Sequence, residues 1–248
     1  MIDIRNLHKS FGSQKVLDGL NLSVEAGKIA SIMGPSGVGK SVLLKLLIGI
    51  LKPDQGEIYV DGQEITTLPP DELDLVRRKF GMLFQDAALF DDMDIYSNVS
   101  FPLYEHTTLS DRQIAEIVDE RLSEVGLTNV DQKLPSELSG GMRKRAGLAR
   151  ALVLDPKFLL FDEPTTGLDP IITDQIVELI LETHKRHGMT IVLISHDLAL
   201  SYRVAHKVGM LYRGKIVEYS TPEQFHRSGH PFVREFLQAQ ASHESKVL

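Results

Sequence analysis

At 248 residues, 42% hydrophobic and 25% charged, the chain is long enough to bury a substantial core and too well balanced in composition to be intrinsically disordered. Its formal charge of −7, from 27 basic and 34 acidic residues, argues against a non-specific nucleic-acid binder. The absence of cysteine excludes a disulfide framework and thiolate-held zinc, and makes a reducing, cytoplasmic setting the expectation.

Met1 to Ser10 is polar and charged, so no export signal is expected there, and the longest apolar stretch, Leu43–Leu51, is far short of the roughly 20 residues that cross a bilayer. Ile2–Leu7 and Leu20–Val24 alternate apolar with polar residues and predict half-buried strands. Lys28–Met33 predicts a strand that runs into Gly34-Pro35-Ser36-Gly37-Val38-Gly39, and Lys40–Ile50 a buried helix stopped by Pro53 and the turn Asp54-Gln55-Gly56. Gly56–Val60 and Phe80–Phe84 read as further strands. From about Asp86 to Asp155 the pattern turns helical, with Leu109–Gly126 capped by Ser110 and a second helix over Ser139–Leu152. Phe158–Phe161 and Thr190–Ile194 are unbroken apolar runs, as parallel strands covered on both faces require, and they flank a helix over Ile171–His187. Lys207–Tyr212 and Lys215–Tyr219 read as a hairpin through Arg213-Gly214, and the chain from Thr221 to about Gln240 as helix.

The chemistry begins at Gly34 to Ser41, which fits G-x-x-x-x-G-K-[ST] between a predicted strand and a predicted helix. Glycines let backbone N–H groups surround phosphate oxygens, the helix N-terminus favours negative charge, Lys40 reaches the β- and γ-phosphates, and Ser41 offers a hydroxyl to Mg²⁺. A magnesium ion held by phosphates and one hydroxyl wants a carboxylate, and Asp162 stands at the end of the strand Phe158–Phe161. Glu163 follows; side chains alternate along a strand, so it is expected to face an attacking water while Asp162 attends to the metal. Leu138-Ser139-Gly140-Gly141-Met142 opens a second helix with a capping serine and two glycines, a second anion-binding terminus that one nucleotide does not need.

Together these motifs resemble the ATP-binding-cassette (ABC) ATPases over essentially the whole chain, with LSGGM in place of the LSGGQ signature. The resemblance implies an α/β fold: a P-loop NTPase core with a mostly parallel sheet, an antiparallel β subdomain and a helical signature subdomain. One nucleotide-binding domain is expected over 1–248, with 1–85 and 156–220 as core and β subdomain, 86–155 as helical subdomain, and 221–248 as a C-terminal helical extension. It further implies ATP and Mg²⁺, and a head-to-tail dimer with a second copy in which Ser139, Gly140 and Gly141 of one subunit face the γ-phosphate held by the other. Gln85 matches the glutamine that senses metal and water, His196 the switch histidine, and Asp169 in Gly167-Leu168-Asp169-Pro170 the loop that crosses the dimer interface. Phe11 stands where an aromatic stacks on adenine, although a core position is an equal reading. Two departures are noted: Met142 replaces the signature glutamine, and Val42 the hydroxyl residue that usually follows Ser41.

The stretch Met82–Met93, with Asn98–Leu103, Arg143-Lys144-Arg145 and Pro231–Leu237, is similar to the MlaF-type ATPases of MCE-associated lipid transporters. That similarity implies a motor on the cytoplasmic face of the inner membrane, with an integral membrane permease and an MCE-type substrate-binding protein as partners, moving phospholipids or other hydrophobic molecules between inner and outer membranes. A motor for an amino acid, ion or lipoprotein, and a soluble ABC ATPase acting on nucleoprotein, stand as alternatives. Phe90, Met93 and Tyr96 read either as a groove for a permease helix or as internal packing, and Arg143 to Arg145 as a contact for an anionic partner surface or, ahead of that, as a solvated helix face.

Overall fold

The structure, a computed structural model, describes residues 1–244; the last four positions of the expected C-terminal extension lie outside the described residues. In chain order the elements are β1 (Ile2–Phe11), β2 (Gln14–Val24), β3 (Ile29–Met33), α1 (Lys40–Leu47), β4 (Gln55–Val60), β5 (Gln63–Glu64), α2 (Pro70–Arg77) and β6 (Phe80–Leu83). There follow α3 (Ile95–His106), α4 (Asp111–Glu124), a 3₁₀ turn at Pro135–Glu137, α5 (Gly140–Leu152), β7 (Phe158–Asp162) and α6 (Pro170–His187). The chain then gives β8 (Thr190–Ile194), α7 (Leu198–Val204), β9 (Lys207–Tyr212), β10 (Lys215–Ser220), α8 (Pro222–His226) and α9 (Pro231–Glu244). It divides into two compact units, one formed by residues 1–73 with the chain from Thr190 onward, the other by Asp74–Met189.

In the first unit, an antiparallel sheet has the order β2-β1-β4-β5, with Ile2 opposite both Val24 and Val60. Alternation puts Ile2, Ile4, Leu20, Leu22 and Val24 into the core. Both strands run further than predicted, meeting in a turn through Gly12 at φ 59, because their outer ends are polar and carry no alternation. In the same unit β3 pairs in parallel with β8, Ile29 opposite Ile191, and with β9, Ala30 opposite Lys207, while β10 adds antiparallel to β9. All five residues of β3 and of β8 are buried, which is why β8 reads as an apolar run, while the one hydroxyl inside β3, Ser31, donates to the Ser201 hydroxyl at 2.9 Å.

In the second unit β6 lies parallel to β7, with Phe80 opposite Phe158 and their rings stacked at 4.9 Å. Helix α5 presses on β6 so closely that a Cβ at Gly81 would stand 2.2 Å from the carbonyl oxygen of Ala151. Helix α3 starts where Asp94 accepts a hydrogen bond from the Ser97 N–H at 2.7 Å.

Three expectations are revised. The helix after the phosphate loop stops at Leu47, since Gly49 takes φ 68. The C-terminal segment is two helices, broken at Ser228-Gly229 and restarted at Pro231, a residue suited to the first turn of a helix. Helices α2 and α7, which the apolar pattern did not signal, are short and present few buried residues.

Candidate functional site

The first unit contributes the phosphate loop. Gly34 follows β3 under the main chain of β9, where a Cβ would meet the Leu211 carbonyl oxygen at 2.6 Å, and Gly39 takes φ 105 with a would-be Cβ 2.5 Å from Val16. Glycine is thus required at both ends of the loop by close approach. Gly39 also begins α1 with no side-chain cap among the described residues. Lys40 is only 7% exposed, and its ammonium donates to the carbonyls of Gly34 at 2.7 Å and Pro35 at 3.1 Å, placing a positive charge inside the turn. Ser36, Gly37 and Ser41 are exposed, while Pro35, Val38 and Val42 are half-buried. A cation, a helix N-terminus and a hydroxyl are the groups an anionic polyphosphate needs.

In the same unit His196 is exposed just beyond β8, and its carbonyl accepts a hydrogen bond from the Gln240 side chain of α9 at 3.3 Å. The turn after it is fixed by Asp197, which caps α7 through the Leu200 N–H at 3.0 Å. Phe11 is 46% exposed, with the Lys9 ammonium 5.5 Å from its ring centre, so it is not a core residue.

In the second unit, β7 is buried along its whole length and delivers Asp162, 8% exposed, at its end. Glu163 is placed differently from the expectation of strand alternation: the strand has ended, and Glu163 takes φ 51, a left-handed conformation unusual for a residue with a Cβ. Its carboxylate accepts from the Thr166 hydroxyl at 3.3 Å. Gln85 is exposed beyond β6. Asp169 caps α6, accepting from the N–H groups of Ile171 and Ile172 at 3.0 Å. Ser139 caps α5, accepting from the Met142 N–H at 3.3 Å; because only backbone N–H is used there, the missing glutamine side chain leaves the cap unaffected. Gly140 follows half-buried, and Gly141 has a packing reason of its own, since a Cβ would fall 2.6 Å from Ile172 of α6.

Within the basic run Arg143 is exposed and Arg145 half-buried, as a solvated face requires, but Lys144 is not. Arg143 donates to the Leu138 carbonyl at 2.6 Å, Arg145 to the Val125 carbonyl at 2.7 Å, and Lys144 is buried. The Lys144 ammonium donates to the carbonyls of both Gln85 and Glu163. Burial pushes its pKa below the usual lysine value, and the carboxylates of Asp86, Glu163 and Asp162 pull it back up. Within this unit, then, the structure brings Gln85, Asp162 and Glu163 around one buried cation that sequence reasoning left on the surface. A spacing of three on α5, Lys144 then Gly147 then Arg150, was the available signal.

The family profile described as "ABC transporter" matches residues 17–166. The chain belongs to the ABC transporter family. It is 45% identical over 236 residues to the "Probable ribonucleotide transport ATP-binding protein mkl" of Mycobacterium bovis; the match takes in 95% of the chain and spans 66% of that relative's length. The "Intermembrane phospholipid transport system ATP-binding protein MlaF" of Haemophilus influenzae is 44% identical over 241 residues, 97% of this cassette and 91% of that protein. Among solved structures, a dimeric, post-hydrolysis state of the ATP-binding cassette MJ0796 bound to ADP and Pi superposes with a TM-score of 0.82 at 30% identity, covering 90% of this cassette and 99% of that chain. The architecture is that of an ABC cassette, α/β with parallel strands, and among the described residues no helix is long and apolar enough to cross a membrane.

Proposed function

We propose that this cassette is an ATP-hydrolysing motor subunit of an ABC transporter that moves phospholipids or other hydrophobic molecules between the inner and outer membranes. The observation that carries the reading is the phosphate loop with Lys40 seated inside it and the uncapped start of α1 behind it. The 44% identity to a MlaF protein supports the choice of cargo.

In this reading Lys40, the backbone N–H groups of residues 36–41 past Pro35 and the N-terminus of α1 hold the β- and γ-phosphates, Val42 lies beside the α-phosphate, and Phe11, exposed at the end of β1, stacks on the adenine. Among the described residues no group of three or more His, Asp or Glu could hold a metal by itself, which suits Mg²⁺, an ion usually shared between one or two protein oxygens and substrate phosphates. Ser41, Asp162 and Gln85 would supply its protein contacts, and the ion would neutralise charge building on the phosphates. Glu163 takes a proton from water as the water oxygen bonds to the γ-phosphorus; the bond to the β–γ bridging oxygen breaks, and ADP leaves with its electron pair. His196 orients the γ-phosphate. Ser139, Gly140 and Gly141, with Asp169 across the interface, complete the site of a second copy, so the working unit is a head-to-tail dimer.

The motor docks on the cytoplasmic face of the inner membrane against an integral membrane permease, alongside an MCE-type substrate-binding protein. A hollow of about 550 Å³ in the second unit offers the surface: Phe80, Phe84 and Phe101 line it together with Asp74, Arg77, Arg78 and Arg150. Aromatic rings beside charges of both signs, with Arg77 paired to Asp74 at 2.6 Å, suit the apolar face of an amphipathic permease helix. Phe90 lines this hollow, whereas Met93 and Tyr96 are half-buried and stand outside its lining.

Glu163→Gln is the direct test. The variant binds ATP, hydrolyses it at no more than about one hundredth of the parent rate, and accumulates as a dimer in gel filtration with light scattering. Parental turnover by the variant removes Glu163 from its role. Copurification from native membranes with both an integral membrane permease and an MCE-domain protein tests the cargo; recovery with a nucleoprotein complex instead refutes the transport reading.

A further inference from the structure

We propose that Lys144 is a positioning residue for the hydrolytic step, its ammonium fixing the separation between the main chains of Gln85 and Glu163. The inference rests on the reading of Glu163 as base and Gln85 as a metal and water contact. It concerns a buried side chain whose observed hydrogen bonds go to backbone carbonyls.

Three observations carry it. First, Lys144 is 5% exposed and its ammonium is used on backbone: it donates to the Gln85 carbonyl, 59 residues earlier in the chain, and to the Glu163 carbonyl at 3.4 Å, 19 residues later. A buried ammonium is costly unless its N–H groups are met, so its position is dictated by those two acceptors. Second, the residues it grips have main chains that could wander. Glu163 is at φ 51, and the loop after Gln85 contains two successive alanines at φ 62 and φ 49, conformations that persist only where surrounding structure enforces them. Third, the enforcement comes from one face of α5. Next to Lys144, Gly147 lies so near the loop that a Cβ there would stand 3.0 Å from the Ala87 Cβ, and Arg150 donates to the Ala87 carbonyl at 2.9 Å with its guanidinium 5.8 Å above the Phe90 ring. Lys144, Gly147 and Arg150 follow one another at the three-residue spacing that keeps side chains on the same helix face.

Because α5 begins at Ser139, the grip also links the signature serine to the two side chains nearest the proposed chemistry through one rigid helix. A sub-ångström slackening of Glu163 against Gln85 leaves the phosphate loop unaltered. It should therefore appear in turnover, with nucleotide affinity preserved.

The test compares the full-length parent, Lys144→Met, Lys144→Gln and Glu163→Gln for Mg-ATP hydrolysis, for binding of a fluorescent ATP analogue, and for melting temperature. Methionine keeps the stem and deletes the donors; glutamine restores two N–H groups for the two carbonyls. The expected result is a fall of about 10- to 100-fold in kcat for K144M, with KM and analogue affinity within about threefold of parent, an ATP-dependent dimer accumulating as turnover stalls, and most of the rate recovered in K144Q. Parental kcat in K144M overturns the proposal. So does a K144M chain that fails to fold or loses nucleotide binding along with turnover, and so does K144Q no faster than K144M, since each assigns Lys144 to the core alone. Full activity in E163Q would instead defeat the underlying reading of Glu163, and that outcome is read independently of the Lys144 variants.

Discussion

Replacing Gly81 by alanine tests how tightly α5 is seated on β6. Gly81 has no positive φ, so an added methyl brings no backbone strain, and only space is at issue. The methyl carbon would lie 2.2 Å from the Ala151 carbonyl oxygen and 3.0 Å from Leu159 Cδ1. Ordinary contact begins at about 3.4 Å, so α5 must retreat by about 1 Å, and the obstacle is backbone of a helix, which no rotamer change can move. Overpacking of this kind costs about 3 kcal/mol, and the lower chain entropy of alanine in the unfolded state returns about 0.5–1 kcal/mol, leaving a loss of about 2–2.5 kcal/mol. In a chain of this size that lowers the melting temperature by about 4–10 °C. Calorimetry on the parent, G81A and a control, Gly229→Ala, measures it; Gly229 has nothing within 4 Å of a would-be Cβ and should melt within about 2 °C of parent. A G81A protein that melts with the parent would refute the seating of α5 described above. Retreat of α5 also withdraws Lys144 from Gln85, so hydrolysis should fall even at temperatures where the variant is fully folded.

Asn98 is wholly buried and ties the turn before α3 together, accepting from the Phe90 N–H at 2.7 Å and donating to the carbonyls of Phe90, Met93 and Asp94 at 3.0 Å; Asn98→Ala should cost about 2–4 kcal/mol in urea denaturation. The Tyr202 hydroxyl is buried with no hydrogen-bond partner among the described residues, and Tyr202→Phe, which keeps the ring contacts with Phe225, should gain about 1 kcal/mol, or about 2–4 °C in melting temperature. Burial also pushes that hydroxyl up to about 12 from 10.0, so the fold favours its neutral form: its contribution is complete below pH 10, declines as pH rises through 12, and the decline is absent from Y202F. Asp169→Ala should lose about 1 kcal/mol of stability while Asp169→Asn, which can still accept the two N–H bonds, stays within about 0.5 kcal/mol of parent in the same denaturation assay.

The phosphate loop was legible because everything that shapes it is contiguous: strand, glycines, lysine and helix follow one another in the chain. The same is true of the Ser139 cap and of the buried strands, whose apolar runs need no knowledge of distant partners. The left-handed turn at Glu163 was not legible, since alternation says nothing about where a strand stops. Lys144 was misread for a related reason: a basic triplet on a helix is usually solvated, and the acceptors that draw it inward belong to loops far away in sequence. Helix α2 could have been found from Pro70 with Asp71 and Glu72 in its first turn, and α7 from the cap at Asp197, both signals of helix starts that carry no apolar stripe. The polar ends of β1 and β2 gave no such hint, because a strand pair extending away from the core is held by its ladder hydrogen bonds.

Met33, the residue immediately before Gly34, shares its packing cluster with Val208, Met210, Phe225 and Val233, and Tyr212 stacks on Phe232 at 3.6 Å. Phe225 and Val233 belong to α8 and α9, so the last two helices form part of the wall on which the triphosphate cradle rests. Shortening the gene to stop after Ser220 would strip that wall and wet the end of β3. For anyone trimming the polypeptide to a minimal engine, the boundary falls beyond Val233.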